Sequence, residues 1–161
     1  MSRPPILASD EIQRLDQAYL AARRCEPQWR DFLGALAVEL HANAEPDEVL
    51  AFLRAVGRRI GEKRQLVPSE TLQELEAAIN KVWSDMDWGW ARLVAVETGI
   101  AIVHGAYPNA FEDDEHALWP PGAAAVLEGV YSVWFKAQGS PLPNLRRITQ
   151  SISPLVFLHG R

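Results

Sequence analysis

One cysteine, Cys25, stands in 161 residues. A lone thiol closes no internal disulfide, and thiolate zinc frameworks need several Cys or Cys/His pairs at short spacing. No apolar run approaches the roughly 18 residues that cross a bilayer as a helix. Met1 to Asp10 lacks the charged, apolar and cleavage regions of a secretory leader, so the expected compartment is the cytoplasm. Glycine-rich phosphate loops, HExxH and Gly-x-Ser-x-Gly are absent. The four histidines, His41, His104, His116 and His159, lie too far apart to make a local ligand pair, and no metal or other cofactor is expected. One sign of charge is also scarce in places. Residues 68–128 hold 2 basic against 11 acidic side chains, and residues 129–161 hold 4 basic and no acidic ones. Residues 1–67 balance at 10 of each, so the net −5 conceals an acidic middle and a basic tail. No basic stripe interleaved with aromatics marks a nucleic-acid surface, and an acidic middle beside a basic tail can close within one chain, pair head to tail between copies, or be no more than a solvated face and a basic edge strand.

What is present is an ordinary globular composition, 48% hydrophobic and 23% charged, in a chain of one domain's length. The expected fold class is α+β: about four N-terminal helices packed with a small antiparallel sheet of about four strands, and one buried C-terminal helix. Ser9 or Asp10 caps a first helix with Ile12, Leu15 and Tyr19 on one face. Trp29, Phe32, Leu33, Leu36, Ala37 and Leu40 follow i, i+3, i+4 spacing and predict a second helix with that stripe in the core. Pro46 opens a third, carrying Val49, Phe52, Leu53, Val56 and Ile60, with Arg58, Arg59, Lys63 and Arg64 loading its C-terminal half in favour of the helix dipole. A fourth, capped at Ser69, carries Leu72, Leu75, Ile79, Val82, Trp83 and Met86.

At Asp87–Trp88–Gly89 the period shortens to two. Trp90 to Val96 and Ile100 to Val103, joined at Thr98–Gly99, predict a hairpin. Residues 109–121 read as a loop closed by Pro120–Pro121. Ala123, Val126, Leu127, Val130, Tyr131, Trp134 and Phe135 then predict a helix buried on more than one side. Gly129 inside it costs about 1 kcal/mol relative to alanine and so implies close approach of another backbone. Leu145–Thr149 and Leu155–Leu158 complete a second strand pair.

Candidate chemistry is sparse. Asp113, Asp114 and Glu115 beside His116 are the only clustered carboxylates with a proton shuttle. Adjacent residues do not face one another, however, and glycoside hydrolysis sets its two carboxylates on opposite sides of a sugar. A glycan hydrolase or a small-ligand-binding domain using residues 112–116 is the alternative reading. Glu128, on a helix poor in charge, requires a partner such as Arg92, Lys136 or a backbone donor of another copy. Of six tryptophans, Trp29, Trp83 and Trp134 fall on core stripes, while Trp88, Trp90 and Trp119 sit at element boundaries that allow exposure, with core packing the default for each.

Met86–Asp87–Trp88–Gly89–Trp90–Ala91–Arg92–Leu93, then Ile102–Val103–His104, then Val126–Leu127–Glu128–Gly129–Val130–Tyr131–Ser132–Val133–Trp134, resemble in order and spacing the cellulose synthase D proteins of bacteria. The resemblance spans about residues 28 to 138, with residues 1–26 an N-terminal arm outside it and 27–161 the family-like core of a single domain. It implies a non-catalytic accessory protein that forms dimers and then an octameric ring. Such a ring works with other synthase subunits and a proline-rich partner to align synthase complexes, or the β-1,4-glucan chains themselves, for export and crystallisation. The family has also been placed in the periplasm. The resemblance assigns Trp88, Gly89, Trp90, His104, Leu127, Glu128, Gly129, Tyr131 and Trp134 to the family motifs and to assembly. Arg3, Pro4, Pro5 and Trp119 are the candidate contacts with glucan or a partner, and no membrane insertion is implied.

Overall fold

A computed structural model describes residues 7–22, 27–108, 119–140, 144–151 and 153–160. Its elements run α1 (Ser9–Ala22), α2 (Pro27–Asn43), α3 (Pro46–Lys63), α4 (Leu72–Met86), β1 (Trp90–Val96), β2 (Gly99–Gly105), α5 (Trp119–Ala137), β3 (Asn144–Arg147) and β4 (Leu155–Gly160). The fold is α+β. Its contacts gather into two compact units, neither of them a contiguous stretch. One comprises Met1–Arg24, Val67–Tyr107 and Leu142–Arg161, the other Cys25–Leu66 and Pro108–Pro141.

In the first unit the two expected strand pairs merge. β1 and β2 form the antiparallel hairpin, from Trp90↔Gly105 to Val96↔Gly99. β4 then pairs with β2 as well as with β3, giving one sheet in the order β1-β2-β4-β3. The last strand to be made is therefore central, which accounts for a β4 buried at every position while β3 alternates. α1 lays Ile12, Leu15 and Tyr19 on a cluster of Trp90, Val103 and Val156, the stripe its spacing predicted. α4 starts at Leu72. Thr71 Oγ1 accepts from the Glu74 N–H at 3.1 Å while Glu74 Oε2 accepts from the Thr71 N–H at 3.2 Å. This reciprocal box satisfies two helix-end donors, and Ser69, expected as the cap, instead donates to the Val67 carbonyl.

In the second unit α3 packs along α5. A Cβ on Gly57 would lie 1.9 Å from the Val126 carbonyl oxygen, and one on Gly129 would lie 2.2 Å from that of Arg54. Side chains are excluded from the crossing and the two backbones meet there. α5 begins at Trp119, so Pro120 and Pro121 belong to its first turn, where a missing N–H is harmless, and not to the preceding loop. α2 is helical over the expected residues, yet Trp29 and Phe32 are each 57% exposed, edge to face with ring centroids 6.2 Å apart. Phe52 of α3 is 52% exposed. Helical periodicity marked these positions correctly as one apolar stripe, but an apolar stripe need not be covered by its own chain.

Candidate functional site

The Trp88–Gly89–Trp90 motif is the exit from α4. Asp87 ends the helix in the left-handed region with φ 58°, and the Trp88 N–H reaches back to the Trp83 carbonyl at 3.0 Å. Gly89 has φ 99°, and a Cβ on it would lie 2.1 Å from the Gly105 carbonyl oxygen, so glycine is obligatory there. α1 locks this turn. Tyr19 Oη donates to Asp87 Oδ1 at 2.8 Å and accepts from the Gly89 N–H at 2.8 Å. Trp90 Nε1 donates to Asp16 Oδ1 at 2.8 Å. The Trp90 ring fills the space that a side chain on Gly105 would take.

His104 of β2 completes the cluster. It is fully buried, Nε2 donates to the Trp88 carbonyl at 2.7 Å, and its ring meets Trp83 edge on at 5.1 Å. Trp83 in turn stacks on Trp88 at 6.3 Å. A carbonyl only accepts, so the proton sits on Nε2. Burial pushes the His104 pKa down to about 4, against the smaller opposing pull of the Trp88 carbonyl. The ring is neutral at pH 7 and acts as a cross-brace between β2 and the turn. His159 of β4 is likewise buried, which lowers its pKa.

The second motif lies on α5. Glu128 Oε2 pairs with Arg54 Nε of α3 at 2.6 Å. The partner it required is thus Arg54 and not Arg92, which pairs with Glu76 at 3.1 Å, nor Lys136. The distance in sequence, 74 positions, is why no local pattern revealed it. Leu127, Tyr131 and Trp134 are buried. Tyr131 meets Trp134 and Phe135 edge on, at 5.8 and 6.5 Å. Trp134 Nε1 donates to the Arg64 carbonyl at 2.7 Å, tying α5 to the end of α3.

Two of the three boundary tryptophans take the core packing that is the default for such rings. Trp90 and Trp119 are 7% and 3% exposed, and the Trp119 indole donates to the Pro108 carbonyl, so neither ring offers a flat face to a sugar. Trp29, expected in the core, is the exposed one. Arg3, Pro4 and Pro5, and residues 112–116, lie outside the described residues. Among the described residues no three His, Cys, Asp or Glu side chains converge as a metal site, and no helix is long and apolar enough to cross a membrane. Asp16, Asn80, Glu76 and the hydroxyl of Tyr19 bind the motif turn and β1 from other elements, mostly through backbone, so no local pattern marks them.

In this α+β protein the motif side chains are mostly buried, and they are tied by hydrogen bonds to one another or to neighbouring elements of the same fold. The family model for the D component of cellulose synthase matches residues 15–156, from within α1 into β4. Relatives include the cellulose synthase operon protein D of Komagataeibacter xylinus and that of Komagataeibacter sucrofermentans. Each is 31% identical over 116 residues, 70% of this chain and 72% of the relative. A further K. xylinus protein of that name is 28% identical over 117 residues, again 70% of this chain and 72% of the relative. The chain belongs to the cellulose synthase D family.

Proposed function

We propose that this chain is a non-catalytic accessory component of the cellulose synthase system, working in the cytoplasm. Copies assemble as dimers into an octameric ring and, with other synthase subunits and a proline-rich partner, align synthase complexes or nascent β-1,4-glucan chains for export and crystallisation. One observation carries the reading: the motif residues are consumed by internal packing, while Trp29, Phe32 and Phe52 stand at the surface of α2 and α3. Contiguous exposed apolar side chains mark association surfaces, and aromatic residues are enriched at the centres of interfaces. The kinship with proteins of the cellulose synthase operon supplies the system in which the chain works.

Light scattering coupled to size exclusion tests it. The wild-type chain should elute as a multiple of 18.0 kDa at micromolar concentration, and Trp29→Ala/Phe32→Ala should elute smaller with its helical signal intact. A wild-type monomer sinks the ring. In a deletion strain, the double variant should restore less cellulose, or less ordered fibres, than the wild-type gene.

A further inference from the structure

The two edges of the sheet are treated differently. In the register of the hairpin, Trp90, Arg92, Val94 and Val96 bond to β2, and Ala91 and Leu93 turn their backbone outward. That edge is closed by side chains of α4. Asn80 Oδ1 accepts from the Ala91 N–H and Asn80 Nδ2 donates to the Ala91 carbonyl, both at 2.8 Å, so one amide stands in for a neighbouring peptide group. Glu76 Oε2 accepts from the Leu93 N–H at 2.7 Å.

The opposite edge has no such cover among the described residues. The Ile148 N–H bonds to the Val156 carbonyl at 2.9 Å. By alternation Asn144 and Arg146 also bond inward to Gly160 and Leu158, and Leu145 and Arg147 present N–H and C=O outward. Their side chains extend two sheet rows, Ala95–Ile100–His159–Leu145 and Leu93–Ile102–Phe157–Arg147. Arg146 points to the other face, exposed, with no ion pair among the described residues.

We propose that β3 receives an extended segment of another protein as a fifth strand, antiparallel or parallel, in which apolar residues alternate with acidic ones. Strand addition takes its affinity from main-chain bonds and its specificity from alternate side chains. Apolar residues opposite Leu145 and Arg147 continue the rows, and a carboxylate opposite Arg146 meets the exposed guanidinium. A second copy of β3 fits less well. A two-fold axis at Arg146 or at Arg147 sets like charges directly opposite, which destabilises a pair, with no acidic side chain in residues 129–161 to relieve it, and one at Leu145 sets Arg147 opposite Pro143, which has no N–H to donate. This inference is independent of the ring.

The test is fluorescence anisotropy on the full chain with three labelled probes. They are a peptide of about eight residues alternating Val and Glu, its Val/Lys counterpart, and the Val/Glu peptide N-methylated on alternate nitrogens. The Val/Glu probe should bind saturably, at least tenfold more tightly than either control. Leu145→Pro removes one outward N–H and leaves the ladder to β4 intact, so it should weaken that binding at least tenfold. Arg146→Glu should reverse the preference between Glu and Lys probes. Absent saturable binding, equal binding of the N-methylated probe, or no response to Arg146→Glu overturns the proposal. So does a Leu145→Pro chain that loses assembly mass without any wild-type peptide binding, because the edge then pairs copies of this chain.

Discussion

Replacing His104 by glutamine removes the buried imidazole of the tryptophan cluster and keeps an amide donor for the Trp88 carbonyl. In the folded chain His104 protonates near pH 4, and in the unfolded chain near the ordinary 6.5. Above about pH 7 neither state holds the proton and stability is at its full value. Between 6.5 and 4 the unfolded state takes up a proton that the folded state refuses, so stability falls with falling pH. Below about 4 both states are protonated and this group causes no further loss. At ~1.4 kcal/mol for each pH unit across that window, the loss is about 3 kcal/mol. That is a large part of the roughly 5–15 kcal/mol typical of a domain. Urea unfolding followed by tryptophan fluorescence at several pH values from 8 to 4 measures it. Wild type should lose about 3 kcal/mol more than His104→Gln over this range. The variant should start lower at pH 8, because the edge contact with Trp83 is gone. His159 is common to both proteins and cancels in the difference. Parallel stability profiles, or an NMR titration of His104 centred near 6.5, refute the reasoning.

Two glycines on different helices should respond oppositely to the same methyl group. Gly129→Ala drives a Cβ into the Arg54 carbonyl and should cost about 2–3 kcal/mol despite alanine's better helix propensity. Gly34→Ala meets nothing within 4 Å and should gain about 0.5–1 kcal/mol, both read from urea midpoints. Asn80→Ala strips Ala91 of both surrogate bonds and should cost about 1–3 kcal/mol. It should also raise light scattering on standing, since an uncovered β1 edge pairs with other chains. Asp113→Asn/Asp114→Asn/Glu115→Gln tests the hydrolase alternative: cellodextrin turnover should be absent from wild type and variant alike, and turnover abolished by the change would reinstate it.

Local pattern carried far in this chain because its elements obey local rules. The stripe Ile12, Leu15, Tyr19 and the apolar run Leu155–Leu158 each met the burial their periods imply. A glycine in mid-helix at 129 announced a backbone contact, since nothing else offsets its intrinsic cost. The motif segments could be read, in order and spacing, as those of the cellulose synthase D family. What one-dimensional pattern does not contain is which surface covers which. Trp29 lies on a helical core stripe and yet stands exposed, because hydrophobicity states that a side chain avoids water and not what provides the cover. Arg54 for Glu128, Asn80 for Ala91 and Tyr19 for Gly89 are pairings across 74, 11 and 70 positions. Only the folded chain selects among the many polar groups able to satisfy each one. The order of residues was enough for the elements and the family, because periodicity, turn chemistry and motif spacing are all local properties. Folding settled that the motifs brace the interior, that one sheet edge is closed while the other has no cover among the described residues, and that the aromatic stripe of α2 faces outward. Those outcomes depend on long-range geometry, which no period along the chain encodes.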